Sequence, residues 1–277
     1  MKLIHTIAEL RSALGPGQAA FVPTMGNLHA GHLALVAQAR AVAGPQAPVV
    51  VSLFVNRLQF LPHEDFDRYP RTLEADCAQL QAQGHCDLVF APSEQELYPE
   101  PQGYKVVPPA ALADILEGQF RPGFFTGVCT VVHKLFNLVQ PAHAVFGKKD
   151  YQQLMVLRRM VAQMGLPIQI HGGETLRSPE GLALSSRNQY LSAEQKAQAL
   201  QLSAALRALI TEWQAGLRDR ERMEGEAMDR LAAQGWQPDY LTLRCRHDLS
   251  PARAGEPLVA LGAAKLGSTR LIDNFEG

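Results

Sequence analysis

Residues 19–55 read AAFVPTMGNLHAGHLALVAQARAVAGPQAPVVVSLFV, and the order of textures inside them decides the fold. An apolar run at 19–23 gives way to a short Thr, Met and Gly break. A stretch of helical period from about Gly31 to Ala43 follows, and a second apolar run at 49–55 closes the unit. Short runs that are apolar on both faces belong to strands covered on both sides, and two of them joined through a helix make a parallel βαβ unit.

The same alternation continues outward. Helical stretches at 72–83, 126–139 and 151–164 are separated by DLVFAP at 87–92, AHAVFG at 142–147 and LPIQI at 166–170. This predicts an α/β fold, a Rossmann-like doubly wound parallel sheet over residues 1–175. After HGGETLRSPEGLALSSRN at 171–188 the chain becomes rich in Ala, Gln, Leu and Glu. Helices over 192–217 and 219–233 and short strands near 239–245, 257–261 and 268–273 are expected there. They would form a smaller α+β domain over 176–277 that closes over the site. PEPQGYKVVPP at 99–109 reads as a loop or an edge strand.

Composition narrows the function classes. Lys plus Arg number 26 against 27 Asp plus Glu, a net charge of −1 with no like-charge run, so no field gathers a polyanion and nucleic acid is not the expected partner. The cleanest apolar run, Val49 to Val55, is far shorter than the roughly 18–20 residues that span a bilayer, and Glu9 interrupts any secretory-type apolar segment near residue 1. A cytoplasmic protein with no membrane partner is expected. Cys77, Cys86, Cys129 and Cys245 form no CxxC pair, which argues against a disulfide scaffold or structural zinc and leaves four buried thiols as the simple reading.

The break between the first strand and the first helix carries the chemistry. His29 and His32 stand three residues apart around Gly31, at the carboxyl end of a parallel strand and on the first turn of a helix. Ligands bind at that end of such sheets, and a helix amino terminus attracts phosphate. Two imidazoles on one face there are donors aimed at an anion, and in protonated form they could neutralise charge developing on phosphorus. With 9 His and 22 Gly in 277 residues, an HxGH string is expected by chance only roughly 0.02 times.

HxGH at such a junction resembles the superfamily of class I aminoacyl-tRNA synthetases and small nucleotidyltransferases. PTMGNLHAGH at 23–32, VVVSLFVNRLQF at 49–60, RYPRTLEAD at 68–76, FGKKDYQQL at 146–154, EGLALSSRNQYLS at 180–192 and TRLIDN at 269–274 together resemble the pantothenate synthetase family over nearly the whole chain. The resemblance implies a homodimeric ligase that activates pantoate with ATP as an enzyme-bound pantoyl adenylate, releases pyrophosphate, and transfers the pantoyl group to β-alanine. It implies that His29 and His32 contact the ATP phosphates, with His32 the proton donor, and that Met25, Gly26, Asn27, Leu28, Ala30 and Gly31 complete that part of the nucleotide pocket.

Gly147, Lys148, Lys149, Asp150 and Leu176 are further ATP positions by resemblance, and so are Leu184, Ser185, Ser186 and Arg187 of the superfamily's mobile second signature. Lys149 and Arg187 would be its catalytic cations. Gln59, Gln153 and Asn56 would hold pantoate through two-sided amide hydrogen bonding. Magnesium is implied with ATP, with Asp76 and Gln79 at family positions near the metal. Three departures from the family pattern stand out: Arg57 for Pro, Phe124 for His and Lys148 for Glu. The two basic ones are expected to add positive charge near the phosphates. An adenylyltransferase acting on a phosphate ester, and a silent nucleotide-binding module, are the rival readings; a tRNA synthetase is disfavoured by the short chain without a basic RNA-binding domain.

Overall fold

The computed structural model describes residues 1–277 except 16–17, 63 and 65, and it divides into two compact units: Met1–Lys148 with Val156–Glu174, and Lys149–Met155 with Thr175–Gly277.

The first unit opens with strand β1 (Lys2–Ile4) and helix α1 (Ile7–Ala13), whose amino end is closed by a reciprocal Thr6–Glu9 capping box. β2 (Ala20–Thr24), α2 (Ala30–Ala43), β3 (Val49–Leu53), α3 (Leu73–Gln83) and β4 (Leu88–Phe90) follow. Three short helical turns, α4 (Glu94–Leu97), α5 (Ala110–Ala113) and α6 (Glu117–Phe120), precede α7 (Phe124–Val139) and β5 (His143–Gly147). α8 (Tyr151–Gln163) leads to β6 (Gln169–Gly173).

All six strands are parallel, in the order β1-β4-β3-β2-β5-β6. β2 lies in the middle, paired with β3 on one side and β5 on the other. The chain leaves β2 toward β3 and later returns to β5 on the opposite side, so the switch point of the sheet is the gap between the carboxyl ends of β2 and β5. Alternation sorts the two faces. Ala20, Val22, Val49, Val51, Val89 and Val145 pack with Val36 and Ala39 of α2 and Leu80 of α3. Phe21 and Phe146 turn the other way, each edge-to-face with Phe136 of α7. A sheet covered on both faces is the doubly wound α/β arrangement.

The second unit holds α9 (Ala193–Gln214), α10 (Arg220–Ala232) and an antiparallel sheet β7-β8-β9 formed by Trp236–Cys245, Leu258–Leu266 and Thr269–Glu276. Its core gathers Leu202, Leu206, Leu209 and Trp213 of α9 with Met223 and Leu231 of α10 and Trp236, Leu243 and Ala260 of the strands.

Several expectations are corrected. The strand expected at 166–170 shares only Gln169 and Ile170 with the observed β6. Pairing with β5, from His143↔Gln169 to Gly147↔Gly173, draws the strand three residues onward into a polar, glycine-ending segment. β8 runs past the expected 257–261 to Leu266, because Gly262 interrupts the run of larger apolar side chains but not the ladder with β7 and β9. Of the two forms expected for 99–109, the loop is the one present. β1 went unread, since its three residues pair only with β4. Cys86, Cys129 and Cys245 are buried, whereas Cys77 is partly exposed. Among the described residues no helix is long and apolar enough to cross a membrane.

Candidate active site

The loop leaving β2 is strained and held. Gly26 and Asn27 have consecutive positive φ angles, 82° and 51°. Glycine adopts this backbone freely; asparagine adopts it at a cost that surrounding structure must offset. Thr24 Oγ1 accepts from the Gly26 N–H at 3.1 Å and donates to the Ser52 carbonyl at 2.9 Å. Asp76, 1% exposed on α3, accepts the Asn27 N–H at 2.9 Å on one carboxylate oxygen and the Leu28 N–H at 2.8 Å on the other. The Thr72 hydroxyl donates to the same carboxylate at 3.1 Å, and Gln79 Nε2 donates to the Leu28 carbonyl at 3.5 Å.

The clamped loop delivers the two histidines to the start of α2. His29 is the cap residue: its Nδ1 accepts the Gly31 N–H at 3.1 Å, and His32 Nδ1 accepts the His29 N–H at 3.3 Å, with ring centroids 4.1 Å apart. Each ring therefore does the task usually given to a capping serine or glutamate. With both Nδ1 atoms facing backbone N–H groups, each ring in its neutral form carries its proton on Nε2.

The turn after β3 supplies an amide cluster. Asn56, 1% exposed, precedes a tight helical turn at Arg57–Gln59. Its Nδ2 donates to Gln59 Oε1 at 3.1 Å and to the Gly127 carbonyl at 3.2 Å, while its Oδ1 accepts from the Tyr98 hydroxyl at 3.1 Å. Gln59 Nε2 reaches Met25 Sδ at 3.2 Å, which joins this cluster to the histidine loop. Arg121 grips Glu64 through two bonds of 2.7 and 2.8 Å, donates to the Gln59 carbonyl at 3.1 Å and stacks 3.8 Å from the Phe124 ring centroid. A pocket of about 300 Å³ opens beside Met25 and Gly26, lined also by Phe54, Arg71, Asp76 and Ser93.

Gly147 ends β5 across the switch point from this loop. Lys149, Asp150, Gln153, Leu176 and residues 184–187 belong to the second unit. There Leu176 and Leu184 are joined by a backbone bond of 2.9 Å, and Arg177 bridges Ala183, making a short hairpin that turns at Gly181. Ser185 Oγ accepts the Arg187 N–H at 3.2 Å and starts the turn Ser186–Tyr190. Arg177 anchors this hairpin by two bonds of 2.8 Å to Asp273, and Asn274 Nδ2 donates to the Lys149 carbonyl at 2.8 Å. The TRLIDN segment thus serves the functional loops from β9.

The family departures carry their own partners. Arg57 pairs with Glu94 at 3.1 Å and lies 3.9 Å over Phe66, and Lys148 pairs with Glu174 at 2.5 Å. Each of the two added positive charges therefore has a carboxylate partner. Phe124 in place of histidine forms an apolar cover over Arg121 of the Arg121–Glu64 pair.

Asp76 and Gln79 already serve this loop: both Asp76 oxygens accept backbone donors, Gln79 Nε2 donates to the Leu28 carbonyl, and among the described residues no three His, Cys, Asp or Glu side chains gather into a metal site. Sequence reasoning also passed over Arg121, Tyr98 and Arg177. Arg121 lies three residues before Phe124, but no local pattern announced its partner 57 residues away.

Two imidazoles at the strand-to-helix switch point of a parallel sheet, beside an oriented amide, define an α/β enzyme that handles a phosphate-bearing substrate. A family model described as pantoate-beta-alanine ligase matches residues 2–276. The chain is 65% identical to a pantothenate synthetase of Leptothrix cholodnii and 59% identical to one of Paracidovorax citrulli, each over the full length of both chains. A crystal structure of the Thermus thermophilus pantothenate synthetase superposes with a TM-score of 0.92 at 46% identity, covering 100% of this chain and 99% of that one. A Francisella tularensis pantoate-beta-alanine ligase, complexed with β,γ ATP and β-alanine, superposes at 0.79 with 30% identity, covering 100% and 97%. The chain belongs to the pantoate–β-alanine ligase family, and it is an amide-forming ligase.

Proposed function

We propose that the enzyme joins pantoate to β-alanine in two steps at the loop between β2 and α2. The pantoate carboxylate attacks the α-phosphorus of ATP, forming pantoyl adenylate and expelling pyrophosphate. The β-alanine amine then attacks the acyl carbon, losing a proton and expelling AMP as the amide forms. A free carboxylate is a poor electrophile, so the anhydride supplies the leaving group, and the site must keep water from it. ATP enters with magnesium as its counter-ion, held by the phosphate oxygens as is usual for this cation.

The observation that carries this reading is the clamped HxGH loop. His29 and His32 offer imidazole N–H donors at a helix amino terminus, where negative charge is favoured. Gln59, tied to Met25 of that loop, offers its amide to pantoate, with Asn56 behind it. The family resemblance adds Gln153 to the pantoate contacts, and to the nucleotide contacts it adds Gly147, Lys148, Lys149, Asp150, Leu176, Leu184, Ser185, Ser186 and Arg187. Among these Lys149 and Arg187 supply charge to the departing pyrophosphate. The proposal includes a cytoplasmic homodimer without nucleic-acid or membrane partners; light scattering at the monomer mass of 30.3 kDa would contradict the dimer.

Pyrophosphate exchange into ATP, run with pantoate and no amine, tests the first step, and AMP release on adding β-alanine tests the second. Exchange without a pantoate requirement, or none despite ATP binding, overturns the reading. His32→Ala is expected to retain the fold and slow adenylate formation by roughly two decades or more; a near-normal single-turnover rate would remove His32 from the chemistry.

A further inference from the structure

The polarity of the Gln59 amide is decided outside the pocket. An amide presents a donor at one end and an acceptor at the other, and a flipped glutamine would offer a substrate the wrong one. The Gly127 carbonyl can only accept, so the end of Asn56 that faces it at 3.2 Å must be the Nδ2 donor. Asn56 Oδ1 then faces the Tyr98 hydroxyl at 3.1 Å, which must donate. The second Nδ2 proton goes to Gln59 Oε1 at 3.1 Å, and this turns Gln59 Nε2 outward to Met25 Sδ. Thioether sulfur is a weak acceptor that a substrate oxygen can displace.

We propose that Tyr98 is a positioning residue for pantoate recognition: through Asn56 it locks Gln59 with its amide N–H group presented to an oxygen of the substrate. The inference rests on the reading that Gln59 binds pantoate. Tyr98 suits the task. Its ring is wedged edge-to-face against Phe54 at 5.9 Å, and Lys134 Nζ lies 4.6 Å over the ring centroid. Burial, with Glu94 nearby, raises its phenol above the ordinary range, so the hydroxyl keeps its proton and remains a donor. At Gly127 a Cβ would run into the Leu58 carbonyl, so glycine there lets α7 bring its carbonyl up to Asn56.

Steady-state kinetics of the full-length chain test this. Tyr98→Phe, which removes only the donor, is expected to raise the pantoate KM roughly three- to tenfold, the worth of one buried hydrogen bond. The KM values for ATP and β-alanine and kcat should stay within about twofold. Gln59→Ala alone should raise the pantoate KM, and in that background Tyr98→Phe should add less than about twofold, because the lock then has nothing to hold. Asn56→Ala, a second route should Tyr98→Phe fold poorly, is expected to match or exceed the Tyr98→Phe effect and to become equally silent without Gln59. An unchanged pantoate KM in Tyr98→Phe, or the same rise with and without Gln59, overturns the positioning role. A normal pantoate KM in Gln59→Ala overturns the Gln59 reading itself and the inference with it.

Discussion

Replacing Asp76 by alanine would release the loop that presents His29 and His32. The carboxylate is 1% exposed and accepts two backbone N–H groups at 2.9 and 2.8 Å. Each buried donor left without a partner costs about 1–3 kcal/mol, so Asp76→Ala should destabilise the first unit by about 2–6 kcal/mol. Asp76→Asn keeps one acceptor but sets an amide N–H₂ against the other backbone donor, and about half that loss is expected. Function should suffer as well, since this carboxylate holds Asn27 at its φ of 51° and a small displacement of a reacting group costs of order a hundredfold in rate. Pyrophosphate exchange should fall accordingly in Asp76→Ala. Stability is best followed by far-UV circular dichroism in urea, because both tryptophans, Trp213 and Trp236, lie in the second unit and their fluorescence reports that unit. Magnesium separates the clamp from a metal-ligand role: if Asp76 only holds the loop, excess Mg²⁺ restores nothing. Recovery of exchange at high Mg²⁺ with unchanged stability would refute the reasoning.

Gly127→Ala pushes a methyl group into the Leu58 carbonyl and to within 2.8 Å of the Gln59 nitrogen; a stability loss of about 1–3 kcal/mol and a raised pantoate KM with little change for ATP should appear together in denaturation and kinetic assays. Arg177→Ala leaves Asp273 charged and 6% exposed, so a loss of about 3–5 kcal/mol is expected in the second unit, read by tryptophan fluorescence, with slower exchange as the hairpin carrying Ser185 and Arg187 loosens. His171 has its pKa lowered by burial, then by His143 and Arg158. The unfolded ring takes up a proton first, so its contribution to stability is complete above the unfolded value of about 6.5 and is lost as pH falls from there through the depressed folded value. His171→Gln should flatten the melting temperature over that interval, and an unaltered pH profile would exclude the residue as its source.

Local periodicity carried much of the fold. Strands covered on both faces announce themselves as short apolar runs, and the parallel sheet follows from helices between them. The HxGH string was legible because its meaning is local: a strand end, a turn and a helix start lie within a few residues. The edges were harder to read. β1 is too short to show a period, and β6 takes its bounds from the ladder with β5 rather than from its own apolar residues.

The amino-acid sequence by itself determined the α/β class, the place of the phosphate-directed junction and, through motifs spread along the chain, the family. Tertiary structure alone decided what holds those motifs in working order. Asp76 meets Asn27 across 49 residues, Tyr98 meets Asn56 across 42, and Arg177 meets Asp273 across 96. Local propensity depends on neighbours along the chain. A buried carboxylate, amide or guanidinium acquires its role only when folding removes water and brings the one partner that satisfies it.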